Sequence, residues 1–411
     1  MKRRGWSRRD LLKTTAVGGA VVGLGAAVVE RMNRYIVGAT DTGSITAAAS
    51  VSDVQEERIA LSEHTGLTLV VGSYSDGRRQ SLLSREDIAF VQPDRTLELV
   101  STPSDQRDSD TAGAQVLPWG IDRIDADVAH AERATGAGVD VGIIDGGIDD
   151  AHPDLQENLA DPSVDGNHRA WVDCQGEDCP YPWSDDGNHG THVAGTVAAD
   201  GENGVVGVAP EATLHALKVC GSGGSCRTSD IADAIRHAAD EGWDVVNLSL
   251  GAPQKAPALQ AAGQYARKSG VLLVAAAGNR GQPDSVGYPA AYDEFVAVSA
   301  TDIDDDIADF SSTGPEVDIA APGKDVCSSI VDGHRVNNGT SMASPHVAGA
   351  AAQLLAAGHS QDEVVDQLTE TAEDLGKSTD EQGAGLLDVA KALDYDSSDN
   401  GTGDGTSCPS Q

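Results

Sequence analysis

The sequence predicts an α/β fold: a mainly parallel, twisted sheet with helices on both faces, preceded by a small α+β segment. Two observations carry this. From residue 119 onward, short continuous apolar runs alternate with stretches of helical period, the pattern of strands buried on both faces and of the helices covering them. Ahead of that region, a smaller set of strand-like runs is followed by 101–113 (STPSDQRDSDTAG). That stretch has no apolar period and reads as an exposed linker.

In chain order, 34–38 opens the small segment, 67–71 is strand-like, and 88–94 and 97–100 close it. In the larger region, 126–134 is a helix candidate and 139–144 a buried strand running into Asp145. Helix is expected at 193–199, 229–241 and 256–269, and strand at 213–219, 244–250, 271–276 and 295–299. Functional groups in such sheets gather beyond the carboxyl ends of the strands. No internal repeat is visible. The tail, 397–411, is rich in Ser, Gly and Asp and reads as flexible unless Cys408 ties it down.

The 411 residues carry 28 Lys+Arg against 65 Asp+Glu, a net charge of −37, and 39% of them are hydrophobic. That suffices for one large core plus a smaller one. Collagen-like, coiled-coil and multi-span membrane classes are excluded, as is nucleic-acid binding by charge. Residues 1–32 run against the trend, with seven basic and two acidic groups. Lysine is scarce, at eight against twenty Arg. Dense carboxylates with little Lys keep a surface hydrated where salt screens their repulsion, so salt adaptation is favoured over a merely acidic surface.

Arg8 and Arg9 precede a mild, Gly/Ala-rich apolar run of about 14 residues, too short for a membrane span. This resembles a twin-arginine export signal. The protein is therefore expected outside the cell, with membrane contact only through an uncleaved signal. Six cysteines include two local pairs, Cys174 with Cys179 and Cys220 with Cys226. Short loops of this kind close as disulfides in an oxidising space. Zinc is the competing reading, although the two-residue spacing of metal knuckles is missing. Pairing of Cys327 with Cys408 stays open.

Three separated segments carry chemistry. VGIIDGGID (141–149) sets Asp145 directly after a buried strand. DGNHGTHVAG (186–195) puts His189 before a helix, and NGTSMASPHVAG (338–349) opens an Ala-rich helix with Ser341. A serine nucleophile needs an imidazole to take its proton and a carboxylate to orient that imidazole. A helix start suits the nucleophile, because free N–H groups and the positive dipole end favour developing negative charge. A fourth segment, AAAGNRG (275–281), offers Asn279 as a donor to an oxyanion. The order Asp, His, Ser separates this chain from α/β-hydrolases.

On these motifs, over about 119–394, the sequence resembles the subtilase family, and within it the exported halolysin-type proteases. The resemblance implies a subtilisin-like serine endopeptidase with Asp145, His189 and Ser341 as triad, Asn279 at the oxyanion and an acyl-enzyme intermediate. It also implies a substrate-pairing strand at 247–251 (NLSLG), with Ser249, Leu250 and Gly251 lining the bound peptide. Gly278 would contact the substrate, and Gly287 would lie at the floor of the first specificity pocket. Arg280 at its rim should disfavour basic P1 residues over large apolar ones. Segment 34–99 is similar to the family's prosegment, a folding aid and temporary inhibitor. The implied division is a signal (1–32), prosegment and linker (33–112), catalytic domain (113–396) and tail (397–411), with the mature chain starting near 108–114. No organic cofactor is implied; polypeptides are the substrates, and the enzyme is expected to be a monomer.

Two histidines read as structural, His192 and His346. Calcium is expected through Asp154, which aligns with a family ligand, although the loop DGENG (200–204) is shorter than in calcium-binding members. A non-catalytic peptide-binding relative is the rival from another class. Against it, all three triad residue types and Asn279 are present.

Overall fold

The computed structural model describes residues 33–52, 54–100, 108–112, 116–175, 179–202, 204–396 and 408–410. The expected signal (1–32), much of the linker and residues 397–407 and 411 of the tail lie outside them.

Residues 33–99 supply β1 (Asn33–Ala39), β2 (Val54–Leu61), β3 (Leu67–Tyr74), β4 (Ile88–Pro93) and β5 (Thr96–Leu99). The first four form an antiparallel sheet in the order β2-β3-β1-β4. Strand alternation divides its side chains between two faces. Tyr35, Val37, Val70 and Tyr74 pack on Ala48 and Leu82, from helices Thr42–Val51 and Asp76–Leu83, in a core of their own. Ile36, Ile59, Leu61, Leu69 and Val71 point the other way and join the core of the larger body.

Next come β6 (Asp108–Ala112), β7 (Asp140–Asp145), β8 (Arg169–Ala170), β9 (Thr213–Lys218), β10 (Ser225–Arg227) and β11 (Val245–Leu248). They are followed by β12 (Leu250–Gly251), β13 (Leu272–Ala276), β14 (Val296–Thr301), β15 (Ile319–Pro322), β16 (Val326–Ile330), β17 (Gly333–Asn337) and β18 (Cys408–Ser410). Seven of them make the expected sheet, in the order β15-β14-β13-β11-β7-β9-β8, with every pairing parallel. Val141 and Ile143 face the helices His189–Ala198 and Thr340–Ala356, while Ile144, Leu217 and Val246 face Thr228–Glu241 and Pro257–Lys268. Both faces are dry, which is why these strands read as unbroken apolar runs.

Three boundaries depart from the sequence expectation. The helix expected at 193–199 begins at His189, because its first turn is polar and is capped from outside by Asp185, whose Oδ2 accepts the Thr191 N–H at 3.0 Å. The helix from Ala126 stops at Ala131, followed by left-handed Arg133 and Gly136. The strand expected through 250 leaves the central sheet after Leu248; Leu250 and Gly251 pair with β5 instead.

The tail also differs. Cys408 is buried, bonded to Cys327, and β18 pairs in parallel with β6, so the end expected to be flexible is fastened at 408–410. Among the described residues, no helix is long and apolar enough to cross a membrane.

The Cys327–Cys408 bridge spans 81 positions, and closing so long a loop restricts the unfolded chain strongly. Cys408→Ser should cost roughly 2–4 kcal/mol of stability, read as a lowered urea midpoint against the oxidised wild type.

Candidate active site

Asp145 ends β7 with no exposed surface. Its Oδ1 accepts the Gly146 N–H at 2.6 Å, and both carboxylate oxygens face His189 Nδ1, at 2.8 and 3.0 Å. His189 opens its helix hard against the Gly146–Gly147 turn. A Cβ on Gly190 would fall on the Gly147 carbonyl oxygen, so only glycine lets the two backbones meet. Burial alone would lower the His189 pKa, but the charge and hydrogen bond of Asp145, with a contribution from Asp185, hold it above its ordinary value.

Ser341 is the second residue of the Thr340–Ala356 helix. Its Oγ contacts the carbonyl oxygens of Val100 and, at 3.0 Å, Ser249. His189 Nε2 is buried with no hydrogen-bond partner. The hydroxyl is thus turned to the Val100 carbonyl rather than to the imidazole. That same carbonyl accepts from Asn279 Nδ2 at 3.0 Å. Asn279 Oδ1 receives the Thr340 N–H at 2.9 Å and the Thr340 hydroxyl at 3.0 Å. Thr340 therefore fixes which end of the amide faces the cleft, an orienting role the sequence reading missed.

A strand of the chain's own N-terminal segment lies in the cleft. β5 sits antiparallel between β10 and β12, with Glu98 opposite Ser225 and Gly251 and Leu99 opposite Leu250. Leu99 N–H donates to Gly224 O at 2.9 Å, and Val100 N–H to Ser249 O at 3.3 Å. The Ser249–Gly251 wall was expected. The opposite wall, β10, was not, because three residues after a glycine pair, the middle one a cysteine, show no period. Beside Val100, a cavity of about 340 Å³ is lined by Gly251, Gly278, Asn279, Arg280 and Gly287, so the expected pocket glycine, Gly287, lies on it together with Gly278, with Arg280 exposed at its edge.

Comparison with known proteins agrees with this arrangement. A model of the subtilase family matches residues 136–386. The chain belongs to the subtilase family. It is 37% identical to a halolysin-like extracellular serine protease, Nep, of Natrialba magadii, over 96% of this chain and 74% of that one. It is 45% identical to subtilisin DY of Bacillus licheniformis, over 68% and 99%, and 37% identical to subtilisin E of Bacillus subtilis strain 168, over 87% and 90%. This subtilase is a serine endopeptidase.

The remaining candidates fall outside the cleft. Cys174–Cys179 and Cys220–Cys226 are disulfides, and no cysteine among the six is free, which removes the zinc reading for them. The second bond closes the loop that presents β10. His192 Nε2 lies 3.1 Å from the carbonyls of Val326 and Arg335, and burial drives its pKa down to about 3. His346 Nδ1 meets Met342 O at 2.7 Å, and burial takes its pKa to about 4. Both stay neutral; His192 joins the His189 helix to the β16–β17 hairpin, while the His346 bond lies within its own helix.

Calcium at Asp154 meets a poor donor set. The ion takes six to eight oxygens at 2.3–2.6 Å. Asp154 Oδ2 instead faces His334 Nε2 at 2.7 Å, the Val205 N–H at 3.2 Å and Ser329 Oγ at 3.3 Å. Burial would raise this carboxyl, but the His334 hydrogen bond, the Val205 amide and the His334 and His152 charges hold it below its ordinary value. Imidazole nitrogen and amide hydrogen stand where calcium needs oxygen, so the residues do not fit that ion.

On the oxyanion role that the family resemblance implies for Asn279, Asn279→Ala should lower kcat about 10²–10³-fold with little change in KM; single-turnover kinetics on a peptide ester measure this. The imidazole must be neutral to accept a proton, and its pKa lies above the usual 6.5. The acid limb of kcat/KM should therefore have its midpoint above 6.5. Emptying the cleft relieves burial, which moves the midpoint no lower. Asp145→Asn should shift the limb down and cost on the order of 10⁴-fold in kcat, both read from a pH–rate profile.

Proposed function

We propose that this subtilase is a secreted, salt-adapted endopeptidase of broad specificity, exported by the twin-arginine route and made as a precursor that inhibits itself through residues 33–100. The observation that supports this best is the Val100 carbonyl, held by Asn279 Nδ2 and in contact with Ser341 Oγ. A backbone delivered as an added strand, with its carbonyl at both donor and nucleophile, is the arrangement of a peptide about to be cut or just cut.

On this reading, His189 Nε2 takes the Ser341 proton as Oγ attacks the carbonyl carbon. Asn279 and a backbone N–H at the helix start hold the oxyanion. His189 then protonates the leaving amine, the C–N bond breaks, and an acyl-enzyme on Ser341 is left. Water, deprotonated by His189, attacks that ester and frees the carboxylate while Oγ regains a proton. Asp145 stays ionised throughout and keeps Nδ1 protonated. Val100 in the pocket and Arg280 at its edge support an apolar P1 preference over a basic one. Net charge −37 with eight lysines supports the salt adaptation. The first cut is then Val100–Ser101, ahead of the 108–114 start expected from the motifs. Residues 108–112 instead form β6, tied to the body through β18 and Cys408.

The test is expression of wild type beside Ser341→Ala. Wild type should lose its N-terminal segment, with the released piece ending at Val100 by mass spectrometry, and the mutant should accumulate uncut. Equal processing of the two would show that another protease matures the chain, and a released piece ending elsewhere would move the site.

A further inference from the structure

The misfit of calcium at Asp154 has a positive side. His152, Asp154 and His334 each offer one ligand atom, and these atoms lie within 4.8 Å of one another. We propose that they form a binding site for a borderline transition-metal ion of the zinc type, unlike the oxygen-rich calcium chemistry the fold suggested.

Three observations point there independently of the cluster itself. Asp154 has no exposed surface, yet its Oδ1 is buried without a hydrogen-bond partner. An ionised carboxylate whose second oxygen is left unpartnered in the interior is destabilised, and a cation bound to that carboxylate would offset its charge. His152 Nε2 lies 2.9 Å from Gly333 O, so Nε2 carries the proton and Nδ1 keeps a lone pair. That lone pair now accepts the Asp154 N–H at 3.2 Å, a long hydrogen bond that metal binding would displace. A ring that gives its far N–H to a backbone carbonyl is oriented as metal-binding histidines are. Third, His334 sits at the start of β17 with 12% of its side chain exposed, which opens the pocket to solvent on one side.

The donor set, two imidazole nitrogens and one carboxylate, suits zinc, cobalt or nickel far better than calcium or magnesium. A tetrahedral ion with bonds of about 2.0 Å separates its ligand atoms by roughly 3.3 Å. The present 2.7 Å between His334 Nε2 and Asp154 Oδ2 would widen by about half an ångström, with the hairpin bearing His334 moving outward. Binding displaces the His334 Nε2 proton to solvent, the metal takes that position, and water completes the fourth site. The ion would join the turn after β7 to the β16–β17 hairpin. That hairpin already holds the His189 helix, since the Val331 N–H donates to Asn188 Oδ1 at 3.1 Å.

The experiment uses the full chain carrying Ser341→Ala, so that self-digestion does not consume it, stripped with chelator and titrated with cobalt(II). Intense visible absorption of a four-coordinate ion should saturate at about one equivalent per chain. Zinc should displace it, a large excess of calcium should not, and zinc should raise the melting temperature. His334→Ala and His334→Gln should each weaken cobalt binding by more than the roughly 10–100-fold lost with an outer-shell partner. His334→Gln also serves if the alanine variant folds poorly. A titration unchanged in both variants, absence of the four-coordinate band, or displacement of cobalt by equal calcium would overturn the proposal and leave a plain His334–Asp154 ion pair.

Discussion

A carboxylate with no contact to water is the constraint around which this site is built. Asp145 is wholly buried, and an isolated ion there would cost several kcal/mol. Its charge is tolerable because the Gly146 N–H and His189 Nδ1 converge on it. That convergence requires the first turn of the His189 helix to press on the turn after β7, and hence glycine at 190. The same demand extends outward. Lys218, itself fully buried at the end of β9, reaches the Gly146 carbonyl and pairs with Asp186 at 2.6 Å. A buried charge has thus recruited a second ion pair to hold the turn that supports it.

The parallel sheet makes this economy of position feasible. Strands running in one direction bring all their carboxyl ends to one edge, so Asp145 after β7, Ser249 after β11 and Asn279 after β13 share a rim despite their distance in sequence. The Thr340–Ala356 helix brings its start, Thr340 and Ser341, to Asn279 and Ser249 at that rim. Thr340 then couples two of these elements directly, with its hydroxyl accepting the Gly278 N–H at 3.0 Å and donating to Asn279. An amide side chain that is free to flip would present oxygen to an oxyanion half the time. Here the neighbouring helix selects one orientation before substrate arrives, which is what preorganisation means for such a donor.

The N-terminal segment lies in the cleft between β10 and β12, with additional anchors. Gln92 Oε1 accepts the Ala258 N–H at 2.9 Å, and Asp94 accepts from the Ser229 N–H and hydroxyl at 3.0 and 2.9 Å. Both therefore occupy helix starts, where free N–H groups favour an acceptor. With one sheet face packed on the helices Thr228–Glu241 and Pro257–Lys268, the segment is held by burial and caps, and β5 need supply only the last few hydrogen bonds into the cleft.

Sequence alone determined the fold class, the buried strands and the triad candidates, because those depend on local patterns: unbroken apolar runs, a carboxylate just past a strand, a serine at a helix start. It was silent on β10, whose three residues have no period, on Thr340, whose role exists only across a helix–loop contact, and on the fastening of Cys408. It also left the surroundings of Asp154 incomplete. Adjacency along the chain gave His152 and Asp154 as neighbours, but His334 reaches them from 180 positions away, and its arrival changes the donors from oxygen to nitrogen. Tertiary structure decided these points because hydrogen-bond geometry and ligand chemistry depend on which atoms fall within about 3 Å of each other in space, a quantity that separation in sequence does not constrain.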